Sequence, residues 1–169
     1  MTTSSELSAT AALEQRVQRI EDERAIERLM ARYGECVDND YDLVGMEAIL
    51  SEDLVWTSNA FGEYEGRAAY LQGQRQISKG VEWAFHVMAP IRVEVAPRGD
   101  AAEGTFYLLM IATFVDPEGD ARVPIILSAR YDNRFVKDGD DWRCNRMRVH
   151  FHQVSPITEG WVAQRFWQP

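Results

Sequence analysis

Arg122-Val123-Pro124-Ile125-Ile126-Leu127-Ser128-Ala129-Arg130-Tyr131-Asp132-Asn133-Arg134-Phe135-Val136 is the stretch on which the fold turns. Val123, Ile125, Leu127, Ala129, Tyr131 and Phe135 alternate along it, so a strand here gathers them on one buried face. Turn-forming clusters bound it, Asp116-Pro117-Glu118-Gly119-Asp120 before and Lys137-Asp138-Gly139-Asp140 after. Strand-like sequence continues on either side, over residues 82–95, 102–115 and 142–153, with Pro97-Arg98-Gly99-Asp100 joining the first two. Loops this short hold no crossover helix, which excludes a parallel sheet over this region. Strands this long must bend to stay compact, and Pro90 and Gly104 are the expected bulge or bend positions.

Upstream the period changes. Leu13, Val17 and Ile20 recur at helical spacing, and Asp22 offers an N-cap for a second helical stretch. In that stretch Ile26, Leu29, Met30, Tyr33 and Val37 share one stripe. Asn39, Asp40 and Asp42 punctuate its end, and Asp42 is placed to cap a short helix over 43–50. Residues 54–57 suit a strand, 61–66 a turn or short strand, and 67–77 a helix ending near Gly80. Residues 1–11 are small and polar and are expected to be a flexible N-terminus, followed by one domain over 12–169. The predicted class is α+β. N-terminal helices pack against a strongly curved, mainly antiparallel sheet, giving a cone-shaped α+β barrel whose open mouth is a natural ligand site.

Composition narrows the function. At 169 residues the chain has room for one core. Its formal charge of -9 argues against a phosphate backbone or an anionic membrane as partner. Arg143, Arg146 and Arg148 form a small basic group that suits a solvated strand face. No apolar run nears the ~20 residues needed to span a bilayer. Met1-Thr2-Thr3-Ser4-Ser5-Glu6 has neither a basic start nor an apolar stretch, so a cytoplasmic protein with Cys36 and Cys144 as free thiols is expected. Phosphate-binding glycine loops, a Gly-x-Ser-x-Gly elbow and a dinucleotide fingerprint are absent, and no cofactor is expected.

Two stretches carry a family resemblance. Residues 20–33, Ile20-Glu21-Asp22-Glu23-Arg24-Ala25-Ile26-Glu27-Arg28-Leu29-Met30-Ala31-Arg32-Tyr33, are similar to the opening of SnoaL-like proteins. Residues 129–135, followed by Asp141-Trp142-Arg143, resemble their penultimate hairpin. The resemblance covers about residues 12–160 and implies the cone-shaped superfamily of scytalone dehydratase, ketosteroid isomerase and nuclear transport factor two. Bacterial bile acid 7α-dehydratase, the closest in motif, carries a Tyr, an Asp five positions later and a His on the first long strand. Tyr33, Asp38 and His86 stand at the matching places here. Hexachlorocyclohexane dehydrochlorinase shares the Asp and His, but a lysine replaces Tyr33, and its last-hairpin arginine falls near Lys137.

The resemblance implies a cofactor-free lyase or isomerase. A histidine oriented by a carboxylate moves protons near neutral pH. His86 with Asp38 would take a proton from a carbon beside a carbonyl, and Tyr33 would hydrogen-bond that carbonyl or the leaving hydroxyl. Dehydration and isomerisation both follow from such a step. Trp56, Phe61, Tyr64, Met88, Tyr107, Met110, Leu127, Met147, Val149 and Phe151 are the expected apolar lining for a hydrophobic steroid-, terpenoid- or polyketide-like substrate. Each of these side chains also suits a plain core. The alternatives are a non-catalytic assembly subunit, like the β subunit of ring-hydroxylating dioxygenases, and a polyketide cyclase. His150 and His152 share a strand face but lack a third ligand, so no metal is expected. The outer sheet face and the Trp161, Phe166 and Trp167 tail point to a homodimer or homotrimer.

Overall fold

The computed structural model describes residues 4–115 and 121–167 of the chain. In order these form α1 (Ser4–Asp38), α2 (Leu43–Ile49), β1 (Leu50–Ser58), β2 (Glu63–Glu65) and α3 (Arg67–Ile77). β3 (Val81–Val95), β4 (Ala101–Val115), β5 (Arg122–Asp138), β6 (Asp141–Pro156) and α4 (Gly160–Ala163) follow. The six strands lie in the order β2-β1-β6-β5-β4-β3. Pairing is antiparallel from β3 through β6, while β1 joins β6 in parallel. The sheet is mixed and stays open, with β2 and β3 as its edges, and with the helices packed on it forms the expected α+β cone without closing into a full barrel. The turn predicted at 116–120 lies outside the described residues.

Two hairpins turn where the sequence requires a left-handed residue, at Gly99 (φ 74°) and Gly139 (φ 63°). Register slips between Pro90 and Arg92, where a proline cannot donate to the ladder and a bulge relieves the strand. No slip occurs at Gly104. A Cβ there would stand 2.7 Å from a Phe106 ring carbon, so this glycine makes room for a ring rather than a bend.

The helical region differs from the expected pair of helices. α1 runs unbroken for 35 residues, on the order of 50 Å, from a start within the segment expected to be frayed. Asp22 therefore caps nothing. Its buried carboxylate accepts from Lys137 Nζ at 2.8 Å and Trp142 Nε1 at 2.9 Å, tying α1 to the β5–β6 hairpin. Burial opposes its charge, yet these donors together hold the carboxyl below its usual range. Only the second half of α1 reaches the core: Ile26, Met30, Tyr33 and Val37 are buried, while Leu13, Val17 and Ile20 remain exposed. Asp42 does cap α2, accepting from Gly45 N at 2.9 Å.

Candidate active site

β3 is an edge strand, so alternate backbone N–H groups along it lack a ladder partner. α1 ends beside that edge. Its last residue, Asp38, takes the free His86 N–H with both carboxylate oxygens, at 3.1 and 3.0 Å. The same carboxylate lies 2.6 Å from Nδ1 of the His86 ring. As a carboxylate Asp38 can only accept, which places the ring proton on Nδ1 and leaves the Nε2 lone pair free. Among the described residues Nε2 has no protein partner. The His86 side chain is 7% exposed and that of Asp38 24%. Burial, outweighing the attraction of Asp38, pulls the His86 pKa below its ordinary value of 6.5.

His86 borders a cavity of about 240 Å3 enclosed between α1, α3 and the concave sheet face. Of the side chains named from the sequence, Tyr33, Trp56, Phe61, Met110, Leu127 and Phe151 line it with His86. Asp38 stands behind His86 rather than in the wall. Four others are core instead of lining. Tyr64 packs behind Trp56, with ring centroids 5.5 Å apart, and Met88 lies against Gly34 of α1. Met147 and Val149 are fully buried beneath the β1–β6 pairing. Tyr107 is the clear correction, because its register places it on the outer face, 45% exposed.

Part of the cavity wall is phenolic, from Tyr33, Tyr41 and Tyr131. Tyr33 Oη lies 2.7 Å from Tyr70 Oη, and the Tyr131 ring meets the Tyr33 ring edge-on at 6.3 Å. Burial drives all three phenols well above their ordinary pKa, so each stays protonated. Tyr41 is pushed up to about 12, first by burial and then by the Asp38 charge. Tyr41, Tyr131, Gln74 and Trp167 line the cavity without having been expected in its lining. Gln74 was discoverable: Tyr70, Gly73, Gln74 and Ile77 share one face of α3 at i, i+3, i+4, i+7 spacing, and an amide on such a face is unusual. Its amide has no protein partner among the described residues, and the indole N–H of Trp56 is buried without an acceptor. Trp167, expected on the surface, turns inward against Phe114 at 5.6 Å, while Trp161 and Phe166 stay exposed.

His150 and His152 lie outside the cavity with ring centroids 5.6 Å apart. Among the described residues no group of three His, Cys, Asp or Glu side chains is placed to hold a metal ion. Cys36 and Cys144 are buried free thiols, and burial raises both pKa values. No described helix is long and apolar enough to cross a membrane.

A family profile described as "SnoaL-like domain" matches residues 18–148. The chain belongs to the SnoaL-like family. No curated protein matches it. Among solved structures, LinA aligns over 92% of this SnoaL-like chain and 99% of its own, with 17% identity and a TM-score of 0.76. A protein of Novosphingobium aromaticivorans, provisionally assigned as a scytalone dehydratase, aligns over 83% and 90% with 21% identity and a TM-score of 0.73. A hexachlorocyclohexane dehydrochlorinase, LinA-type3 of Novosphingobium barchaimii, aligns over 90% and 98% with 18% identity and a TM-score of 0.73. At such identities these likenesses establish the fold.

Proposed function

We propose that this SnoaL-like protein is a cofactor-free lyase or isomerase that acts on a hydrophobic hydroxy ketone, with dehydration as its reaction. One observation carries the reading: a histidine fixed by a carboxylate at 2.6 Å borders an apolar cavity. The dehydratase and dehydrochlorinase among its structural neighbours support it, since both names denote eliminations.

The chemistry follows from the proton positions. Nε2 of His86 takes the proton from the carbon next to the ketone, and the C–H electron pair moves into the enolate. Tyr33 and Tyr70 share a hydroxyl–hydroxyl hydrogen bond in which either can donate; when Tyr70 is the donor, the Tyr33 proton is free to hydrogen-bond the ketone oxygen as charge builds there. The enolate then expels the β-hydroxyl, which collects the proton held by His86 and departs as water. If no leaving group is present, the same proton returns to a different carbon and the outcome is isomerisation. At ~30 Å3 per water, the cavity has room for about eight waters, which is one or two fused rings. A larger steroid- or polyketide-like skeleton would extend through the mouth.

The direct test is deuterium exchange at the α-carbon of 2-tetralone in D2O, followed by proton NMR. Exchange should be accelerated over the uncatalysed background by the wild-type chain, and that acceleration should fall by at least about 10²-fold in His86→Ala. Equal exchange in both would sink the acid–base reading. It would leave a non-catalytic subunit role, for which an open, phenol-lined cavity has no evident use.

A further inference from the structure

Among the described residues α3 brings one amide, that of Gln74, into the cavity wall. Its neighbours fix the helix there. One turn earlier Tyr70 is fully buried, with its hydroxyl 2.7 Å from that of Tyr33. Gly73 lets the helix settle onto Tyr64, since a Cβ at that position would collide with the Tyr64 ring. Gln74 itself is 6% exposed. Among the described residues, three buried side-chain polar atoms are sealed off without a partner: Trp56 Nε1, Asn133 Oδ1 and Asn145 Oδ1. The Gln74 amide differs from them, because it has no protein partner yet stays open to the cavity.

An amide so placed works against a plain hydrocarbon ligand. Ile77, Met110, Phe114, Val115 and Leu127 share the wall with it. A wholly apolar ligand filling this space would strip water from the amide and return no hydrogen bond, which costs about tenfold in affinity. A ligand that supplies the bond avoids that loss. The amide has two donor hydrogens and an acceptor oxygen, and both kinds are unused. A hydroxyl donates and accepts, so it can engage either end of the amide, whereas a ketone can only accept. Charge argues against an acidic group. Among the described residues no Lys or Arg lines the cavity, and the chain carries a net charge of -9, so a carboxylate or phosphate would find no counter-charge.

We propose that Gln74 is a specificity residue that reads a hydroxyl group on the substrate skeleton, separate from the ketone that reacts and the hydroxyl that leaves. The inference deepens the proposed function and rests on its hydrophobic ligand occupying the cavity, though not on proton transfer by His86. Position agrees with this role. Gln74 lies one turn of α3, ~6 Å, beyond Tyr70 in the direction of Ile77 and the start of β3. Tyr70 marks the phenol end, where Tyr33 meets the ketone, so Gln74 addresses a more distant part of a fused-ring skeleton. The substrate class thereby narrows to a neutral fused-ring hydroxy ketone bearing a further, unreactive hydroxyl.

The experiment is isothermal titration calorimetry on the full chain, with 2-tetralone and the four 2-tetralones hydroxylated at aromatic positions 5 to 8. At least one hydroxylated compound should bind about tenfold tighter than 2-tetralone. In Gln74→Leu that compound should lose about tenfold, while 2-tetralone, no longer stripping an amide of water, should bind tighter than it does to the wild type. Opposite shifts are the signature, since a merely structural role would weaken both ligands alike. If circular dichroism shows Gln74→Leu to be misfolded, Gln74→Met takes its place. No binding, equal affinities for all five compounds, a loss shared by both ligands, or a preference that survives in a folded variant would each overturn the proposal. Binding does not draw on His86 as a base, so the exchange assay and this one fail separately.

Discussion

His86 and Asp38 meet where the end of a helix reaches the open edge of a sheet, and part of their carboxylate is in water. Tyr33, Tyr70 and Tyr131 meet in the core beside the cavity, where all three are buried. Burial acts on both groups with opposite chemical results. It pulls the histidine down, so that the ring is a neutral base at pH 7, and it pushes the phenols up, so that each keeps its proton. Before substrate reacts, one cavity thereby holds a neutral base and protonated phenols together at pH 7. Such a split is how a site runs acid and base chemistry at one pH.

The largest loss should come from removing the acceptor. His86→Ala deletes the base, and positioned bases contribute roughly 10²–10⁴-fold, so α-proton exchange should fall by that factor while the fold persists. Tyr33→Phe removes the donor facing the ketone. A drop of about 10²-fold, seen in turnover more than in KM, is expected from the loss of one transition-state hydrogen bond. A drop confined to KM would show Tyr33 to be only packing.

The pH profile tests the comparison more finely. Activity should rise with pH through the lowered His86 pKa, below 6.5, and then level off. Stability follows the same group. A histidine whose pKa is depressed by folding contributes fully above the unfolded value near 6.5, and that contribution is lost as pH falls through the folded pKa. Asp38→Asn removes the charge that favours the imidazolium, so the activity midpoint should move to still lower pH. A midpoint unmoved in that variant would break the link between the pair.

Much of this was legible in advance, for reasons that can be traced to particular residues. The antiparallel sheet followed from short turns and from the alternation over Val123–Phe135 positions, because period and loop length are local properties. The helical stripe through Tyr33 was legible for the same reason. Asp22 misled because a carboxylate before an apolar run looks like a cap, and nothing nearby in sequence reveals that Lys137 and Trp142 come to meet it. The cavity wall was harder still. Trp56 and Tyr107 are equivalent in composition, and only the strand parity set by the register puts one inside and the other out. Tyr70 escaped notice because its partner, Tyr33, is 37 residues away.

Tyr70 also gives the smallest effect, and the one that separates positioning from catalysis. Its hydroxyl lies 2.7 Å from that of Tyr33, but it does not line the cavity. Tyr70→Phe removes one buried hydrogen bond and leaves the ring packing intact, so stability should fall by about 1 kcal/mol. The Tyr33 hydroxyl, no longer held in place, should donate less well to the ketone. Turnover should therefore fall by less than in Tyr33→Phe, with the pH midpoint set by His86 unchanged. Combining Tyr70→Phe with Tyr33→Phe decides the matter. If Tyr70 acts through Tyr33, the double variant should be no slower than Tyr33→Phe alone, whereas multiplied losses would mean that Tyr70 reaches the reacting atoms by a route of its own.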